Sequence, residues 1–182
     1  MCRTYILSTV GSSATLGDMD IYYLGDASFK LSGRDTTLLS FPNAKNKADI
    51  VIGSPKLVTD VHKAVEGPGE YEVRGISIFG YLFGYLVEMD DIRVLLVSDS
   101  SKTPTDDEIT HVGEVDVLLV PADEHIDTFI RKFGPSATVP FGLGTATFIE
   151  KAGVSPEPIT KLSMKPGTFL PDESKIVLLS QK

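Results

Sequence analysis

Reactive chemistry has few places to reside in this sequence. Its 182 residues carry one cysteine, Cys2, and three histidines, His62, His111 and His125. A single cysteine excludes an internal disulfide framework and any multi-cysteine zinc site, and so few histidines restrict imidazole-based metal chemistry. Ser98-Asp99-Ser100-Ser101 places hydroxyls beside a carboxylate, the raw material of an activated nucleophile. No Gly-x-Ser-x-Gly elbow surrounds it and no histidine is linked to it by motif, so a hydrolase triad is not expected. Gly142-Leu143-Gly144 has the glycine content of a phosphate-binding turn. It lacks the dinucleotide and Walker patterns, and a glycine pair at a helix start is the simpler reading. His111 is expected to close a surface helix, where a cation suits the dipole, and His125 to lie on a polar helix face.

The elements that must position these residues are mostly short strands divided by Gly, Pro, Asp and Asn. Strands are expected at 20–24, 28–32, 36–41 and 48–52, with Ser32-Gly33-Arg34-Asp35 as a hairpin turn. Glu66-Gly67-Pro68-Gly69-Glu70 has the composition of a tight turn, and strands should follow at 71–73, 76–83, 85–89 and 92–97. Asp90-Asp91 divides the last two. Thr105 and Glu108 have the spacing of a capping box, which starts a helix running to about His111. Strands at 115–120 and 137–139 then alternate with helices at 123–132 and 145–152, and strands near 159–164 and 175–179 flank a turn containing Pro166, Gly167 and Pro171. Many strands first, then strands alternating with helices, predict a mixed-sheet protein with helices on its outer faces.

Composition bounds the partners. Apolar residues make up 42% of the chain, enough for one real core and against a wholly disordered chain. Lysine and arginine total 17 against 25 acidic residues, a net charge of −8, so a nucleic-acid partner is not expected. No stretch approaches the apolar length of a membrane-spanning helix, the N-terminus is a weak signal peptide at best, and a cytoplasmic address follows as the default. Residues 1–18 read as a flexible lead-in and 19–182 as a single domain, with either Met1 or Met19 serving as start. Cys2, in that lead-in, receives no role.

Specific strings point further. They are Ile21-Tyr22-Tyr23-Leu24-Gly25-Asp26-Ala27-Ser28-Phe29, Ala48-Asp49-Ile50-Val51-Ile52 and Gly67-Pro68-Gly69-Glu70-Tyr71-Glu72-Val73. Further along come Ser98-Asp99, Gly113-Glu114-Val115-Asp116-Val117-Leu118-Leu119-Val120-Pro121, and Val139-Pro140. In order and spacing, over roughly residues 19–144, the sequence resembles the metallo-β-lactamase superfamily, in particular its small L-ascorbate-6-phosphate-lactonase-like branch. The resemblance implies an α+β (α/β) fold: a four-layer αββα sandwich of two mixed β-sheets, here with reduced helices.

Catalytic members of that superfamily hold one or two metal ions at the sheet edge, through an H-x-H-x-D-H signature that follows the strand ending here at Ile52. Zinc held there lowers the pKa of a bound water toward neutrality. The matching segment is Ser54-Pro55-Lys56-Leu57-Val58-Thr59-Asp60. Pro55 and Leu57 stand at the first two histidines, Thr59 at the aspartate and Asp60 at the last histidine. The family's Gly-His becomes Gly25-Asp26, its Asp-Pro becomes Phe41-Pro42, and its Pro-x-His becomes Pro140-Phe141-Gly142. Of the inherited ligands only Asp99 remains, as a bridging carboxylate.

By the same resemblance Asp26, Asp60, His62 and Asp99 fall on the vestigial site edge. Asp26, Asp60 and Asp99 could form a substitute site for Mg²⁺ or Mn²⁺, but isolated aspartates at strand ends are more often turn and cap residues. The expectation is therefore a metallo-β-lactamase-fold protein with a degenerate metal site and no cofactor, acting in binding or assembly. The alternative is a divergent Zn-, Mn- or Mg-dependent hydrolase of phosphoester or lactone substrates. A third reading is a homo-oligomer joined through the aromatic hairpin Ile78–Tyr85.

Overall fold

The computed structural model describes residues 18–167 and 174–182. The expected lead-in lies outside them except for Asp18, as do Cys2 and Pro171. The first half of the chain is built from strands: β1 (Met19–Gly25), β2 (Ser28–Ser32), β3 (Thr37–Ser40), β4 (Asn46–Lys47), β5 (Ile50–Ile52), β6 (Val58–Thr59) and β7 (Lys63–Val65). Next come β8 (Gly69–Val73), β9 (Ile76–Gly80), β10 (Gly84–Met89) and β11 (Ile92–Val97). Helices then interleave: α1 (Asp106–Val112), β12 (Val117–Pro121), α2 (Ile126–Phe133), β13 (Ala137–Phe141), α3 (Thr145–Ala152), β14 (Leu162–Met164) and β15 (Lys175–Ile176).

These strands form a six-stranded sheet in the order β14-β1-β2-β3-β5-β7 and a seven-stranded sheet in the order β15-β13-β12-β11-β10-β9-β8. Both are mixed. Hairpins give antiparallel pairs, whereas β3, β5 and β7, like β11, β12, β13 and β15, are parallel because longer crossovers separate them. Alternation along β1 sends Met19 and Ile21 into the interior and Asp20 and Tyr22 to the outer face. The inner faces close on one another through Phe29, Leu31, Ile50 and Ile52 from one sheet and Ile78, Val87, Val94 and Val139 from the other. Each such side chain, fully buried, contributes about 1.5–3 kcal/mol.

The three helices among the described residues all belong to the seven-stranded sheet. Val112 of α1 and Ile126, Phe129 and Phe133 of α2 pack on Leu86, Leu95, Leu118 and Val120, and Phe148 of α3 reaches the edge of that cluster. β12, covered on both faces, is apolar throughout, as a central parallel strand must be. On the six-stranded sheet no α-helix lies among the described residues, only the single 3-10 turn at Pro55–Leu57. A short parallel ribbon of β4 and β6, with the turn Pro55–Leu57, lies there, and Val58 and Val61 cover Leu39, Ala48 and Val51. The fold is thus a metallo-β-lactamase-like sandwich of two mixed sheets, with helices on one side.

Several elements differ from expectation for local reasons. The strand expected over 76–83 breaks after Gly80, because Tyr81 and Gly84 close a turn on each other (Tyr81 N to Gly84 O, 2.8 Å). A side chain at Gly84 would place its Cβ 2.0 Å from Leu96 O, so only glycine lets β10 approach β11 there. Phe83 and Tyr85 are buried and Tyr81 stacks on Phe83 at 5.0 Å, so the aromatic segment is chiefly core, with Leu82 67% exposed. Helix α2 starts at Ile126 rather than 123, because the Asp123 carboxylate accepts from His125 N (2.8 Å) and holds the preceding residues in a turn.

Candidate functional site

Strand register sorts the loops into two poles. The parallel strands of both sheets end at one pole, which also carries the β1–β2 turn at Asp26 and the start of β10. Ligands of open α/β sheets bind at such carboxyl ends. Here the sheets are stitched by aromatic rings. Phe141, at the end of β13, lies 5.2 Å from Phe29 and 6.4 Å from Tyr23, and Phe41, just past β3, lies 6.1 Å from Tyr85. Burial pushes the Tyr23 phenol upward and the Asp26 carboxylate adds to this, outweighing hydrogen bonds from the backbone of Gly142 and Asp26. Those contacts bring the β1–β2 turn against the end of β13.

Three aspartates stand at this edge. Asp26 adopts φ 53° in the two-residue turn, a conformation Asp tolerates better than most residues. Asp99 Oδ1 accepts from Ser101 Oγ (2.5 Å) and Ser101 N (3.1 Å), and the hydroxyl contact holds its pKa below the usual value. Asp123, which is not among the candidates the sequence suggests, accepts from Ser100 Oγ and His125 N. A signal for it exists in the sequence: Asp123 follows β12 much as Asp99 follows β11. Beside Asp123 a recess of about 540 Å³ opens between α2 and α3, lined by Ala122, Glu124, Asp127, Phe148 and Lys151 among others.

Asp60 and His62 lie elsewhere, and the four residues expected on one edge are divided. The chain leaves β5, crosses the outer face of the six-stranded sheet, and reaches its opposite pole before β7 begins. There Asp60, at φ 63°, sits 3.4 Å from Lys47 Nζ. His62 Nε2 lies 3.6 Å from Asp49 Oδ1, and His62 N donates to Asp49 O (2.7 Å). Asp26 and Asp99 thus lie at one pole of the sheets, and Asp60 and His62 at the other.

The remaining positions do not fit a dinuclear metal centre. Pro55, Leu57 and Phe41 have no donor atom a metal could use, and Gly142, where the resemblance calls for histidine, has φ 90°, which disfavours any side chain. Phe41 instead packs beside Gly53, whose Cβ, if present, would stand 3.0 Å from the ring. Among the described residues no three His, Cys, Asp or Glu side chains converge closely enough to hold an ion. The other histidines have partners of their own: His111 Nδ1 is 3.0 Å from Tyr81 Oη with its ring edge-on to Phe79, and His125, just before α2, has Nε2 3.5 Å from Glu124 Oε1.

No protein-family model and no curated protein matches the chain. Solved structures do. A proposed Zn-dependent hydrolase of the metallo-β-lactamase superfamily from Thermotoga maritima superposes with a TM-score of 0.76 at 24% identity, covering 88% of this chain and 98% of that one. A proposed metal-dependent hydrolase from Parabacteroides distasonis gives 0.57 at 13% identity, covering 90% and 94%. A metallo hydrolase from the archaeon Ignicoccus hospitalis gives 0.55 at 13% identity, covering 81% and 99%. At these identities the likeness establishes the metallo-β-lactamase fold, over nearly the full length of each neighbour. No helix among the described residues is long and apolar enough to cross a membrane.

Proposed function

We propose that this is a metallo-β-lactamase-fold protein whose metal site has degenerated and which acts by binding or assembly rather than hydrolysis, in the cytoplasm. One observation supports the reading: the residues that the resemblance places at or beside the ligand positions do not converge on one edge. Phe41 and Gly142 replace donors at the edge, Asp26 and Asp99 serve local turns, and Asp60 and His62 sit at the opposite pole. A tightly held structural ion contributes about 10 kcal/mol or more, which needs several converging donors. The core, by contrast, is apolar and closed, because packing and ion coordination are carried by different side chains.

The deciding experiment is metal analysis of protein purified without chelator, followed by phosphodiesterase and lactonase assays with added Zn²⁺, Mn²⁺ or Mg²⁺. Substoichiometric metal and no turnover above a no-protein control is the expected result. Stoichiometric metal, with turnover lost in Asp26→Ala or Asp99→Ala, would establish the divergent hydrolase instead.

A further inference from the structure

The face of the six-stranded sheet that has no helix carries an unusual concentration of positive charge for so acidic a chain. A cleft of about 650 Å³ is lined by Lys30, Lys45, Lys47 and Lys56, with the apolar side chains of Leu57 and Val58 among them. Lys30 comes from the sheet itself: in β2 its neighbours Phe29 and Leu31 point into the core, so Lys30 points outward. Lys45 and Lys47 flank β4, and Lys56 belongs to the turn after β5. The ribbon that replaces a helix layer thus forms the cleft wall.

These cations are poorly neutralised. The chain has 25 acidic residues to 17 basic ones, yet among the described residues Lys30, Lys45 and Lys56 make no ion pair. Lys47 meets Asp60 at 3.4 Å with both side chains largely exposed, a contact that contributes little and is easily exchanged. Four lysines that line one cleft give it a positive field, which a protein wall on one side focuses. An anion of several charges is drawn to that field. Each ammonium offers three donors without fixed direction, which suits phosphate oxygens.

We propose that this cleft binds a small, multiply charged phosphate compound such as a polyphosphate or a bisphosphorylated metabolite. Its volume falls within the range of about 300–1,000 Å³ typical of small-molecule sites. A nucleic acid fits less well, because beyond the cleft a strand meets a chain whose overall net charge is −8. The site lies on the outer face of one sheet, away from the sheet-end edge, so the proposal stands or falls separately from the fate of the metal centre.

Inorganic tripolyphosphate titrated into the whole protein by calorimetry tests it. Saturable binding that weakens with added salt is expected, and Lys30→Met, which keeps the aliphatic stem, or Lys56→Gln should each weaken it about tenfold. Lys45→Gln with Lys56→Gln, both at exposed positions, supplies the same test should the β2 variant fold poorly, and Lys102→Gln serves as an unchanged control. Absence of saturable binding up to about 1 mM, or affinity indifferent to the lysine variants, overturns the proposal. So does a lysine-dependent preference for oligouridylate over tripolyphosphate, which would make the cleft a nucleic-acid site.

Discussion

Arg74 Nη1 donates to Asp49 Oδ1 at 2.9 Å, and this contact joins the β8–β9 turn of one sheet to the loop before β5 of the other. The second carboxylate oxygen accepts from Thr37 N at 2.8 Å. The Asp49 carboxylate therefore serves Thr37 of β3, Arg74 across the sheets and His62 at 3.6 Å, whereas Arg74 is nearly half exposed. Asp49→Ala leaves the Thr37 N–H unsatisfied at a part-buried position and should cost about 1–3 kcal/mol. Arg74→Ala, which removes only the exposed partner, should cost about 1 kcal/mol or less. Urea denaturation of the two variants checks the ranking; equal losses would mean that the ion pair, and not the backbone contact, is what Asp49 contributes.

Gly144 comes so close to the preceding crossover that a Cβ there would sit 1.7 Å from Ala122 O. That is backbone against backbone, so a side chain cannot rotate away. Gly144→Ala should destabilise by about 2 kcal/mol or more, through overpacking. Gly142→Ala meets nothing within 4 Å but keeps an unfavourable φ of 90°, and should cost about 1 kcal/mol. Thermal melts of both separate a steric role from a conformational one, and place the glycine pair among backbone requirements rather than phosphate contacts.

Much of the architecture is legible in the sequence because it is written locally. Thr105 and Glu108 do form the capping box their spacing implies: Glu108 N donates to Thr105 Oγ1 and Thr105 N to Glu108 Oε2. Asp90 and Asp91 both take positive φ, as a tight hairpin turn requires. What escapes a sequence reading is the path between elements. Nothing in Ser54–His62 announces that it crosses the sheet and pairs Val58 and Thr59 with Asn46 and Lys47, and it is this path that carries Asp60 and His62 to the other pole. The lysine cleft is hidden for the same reason, since Lys30 is distant in sequence from Lys56 and meets it only through that ribbon. The strand expected over 48–52 begins at Ile50, although Asp49 N already donates to Thr37 O at 2.9 Å.

Acid should weaken the edge of the six-stranded sheet through Asp20. Burial raises its pKa, but hydrogen bonds from Lys161 Nζ (2.8 Å) and Ser163 Oγ (2.5 Å), with the Lys161 charge, outweigh burial and hold it below the ordinary 3.8. A carboxyl depressed on folding adds stability above its unfolded pKa, and that increment is lost as pH falls through the folded value. Asp20→Asn should therefore be less stable than the parent near neutral pH, and the gap should close in acid once pH falls below the lowered folded-state pKa. Urea midpoints at neutral and acid pH provide the check. A gap that persists in acid would assign the effect to the geometry of β1 and β14 rather than to charge.

Phe41 gives the sharpest test of the proposed loss of metal binding, since it occupies the position where the resemblance calls for a metal-binding aspartate. It adopts φ 38°, costly for an aromatic residue, and is nonetheless held there by packing on Gly53 and Tyr85. Phe41→Ala removes part of that packing from a half-buried site and should cost about 1–2 kcal/mol, below the loss typical of a fully buried ring. Phe41→Asp restores one donor without restoring those absent at Pro55, Leu57 and Gly142, so its Zn²⁺ content after purification without chelator should equal that of the parent. If Phe41→Asp instead retained one equivalent of Zn²⁺, the edge would still possess a nearly complete ligand set, and one substitution rather than several would separate this chain from a metalloenzyme.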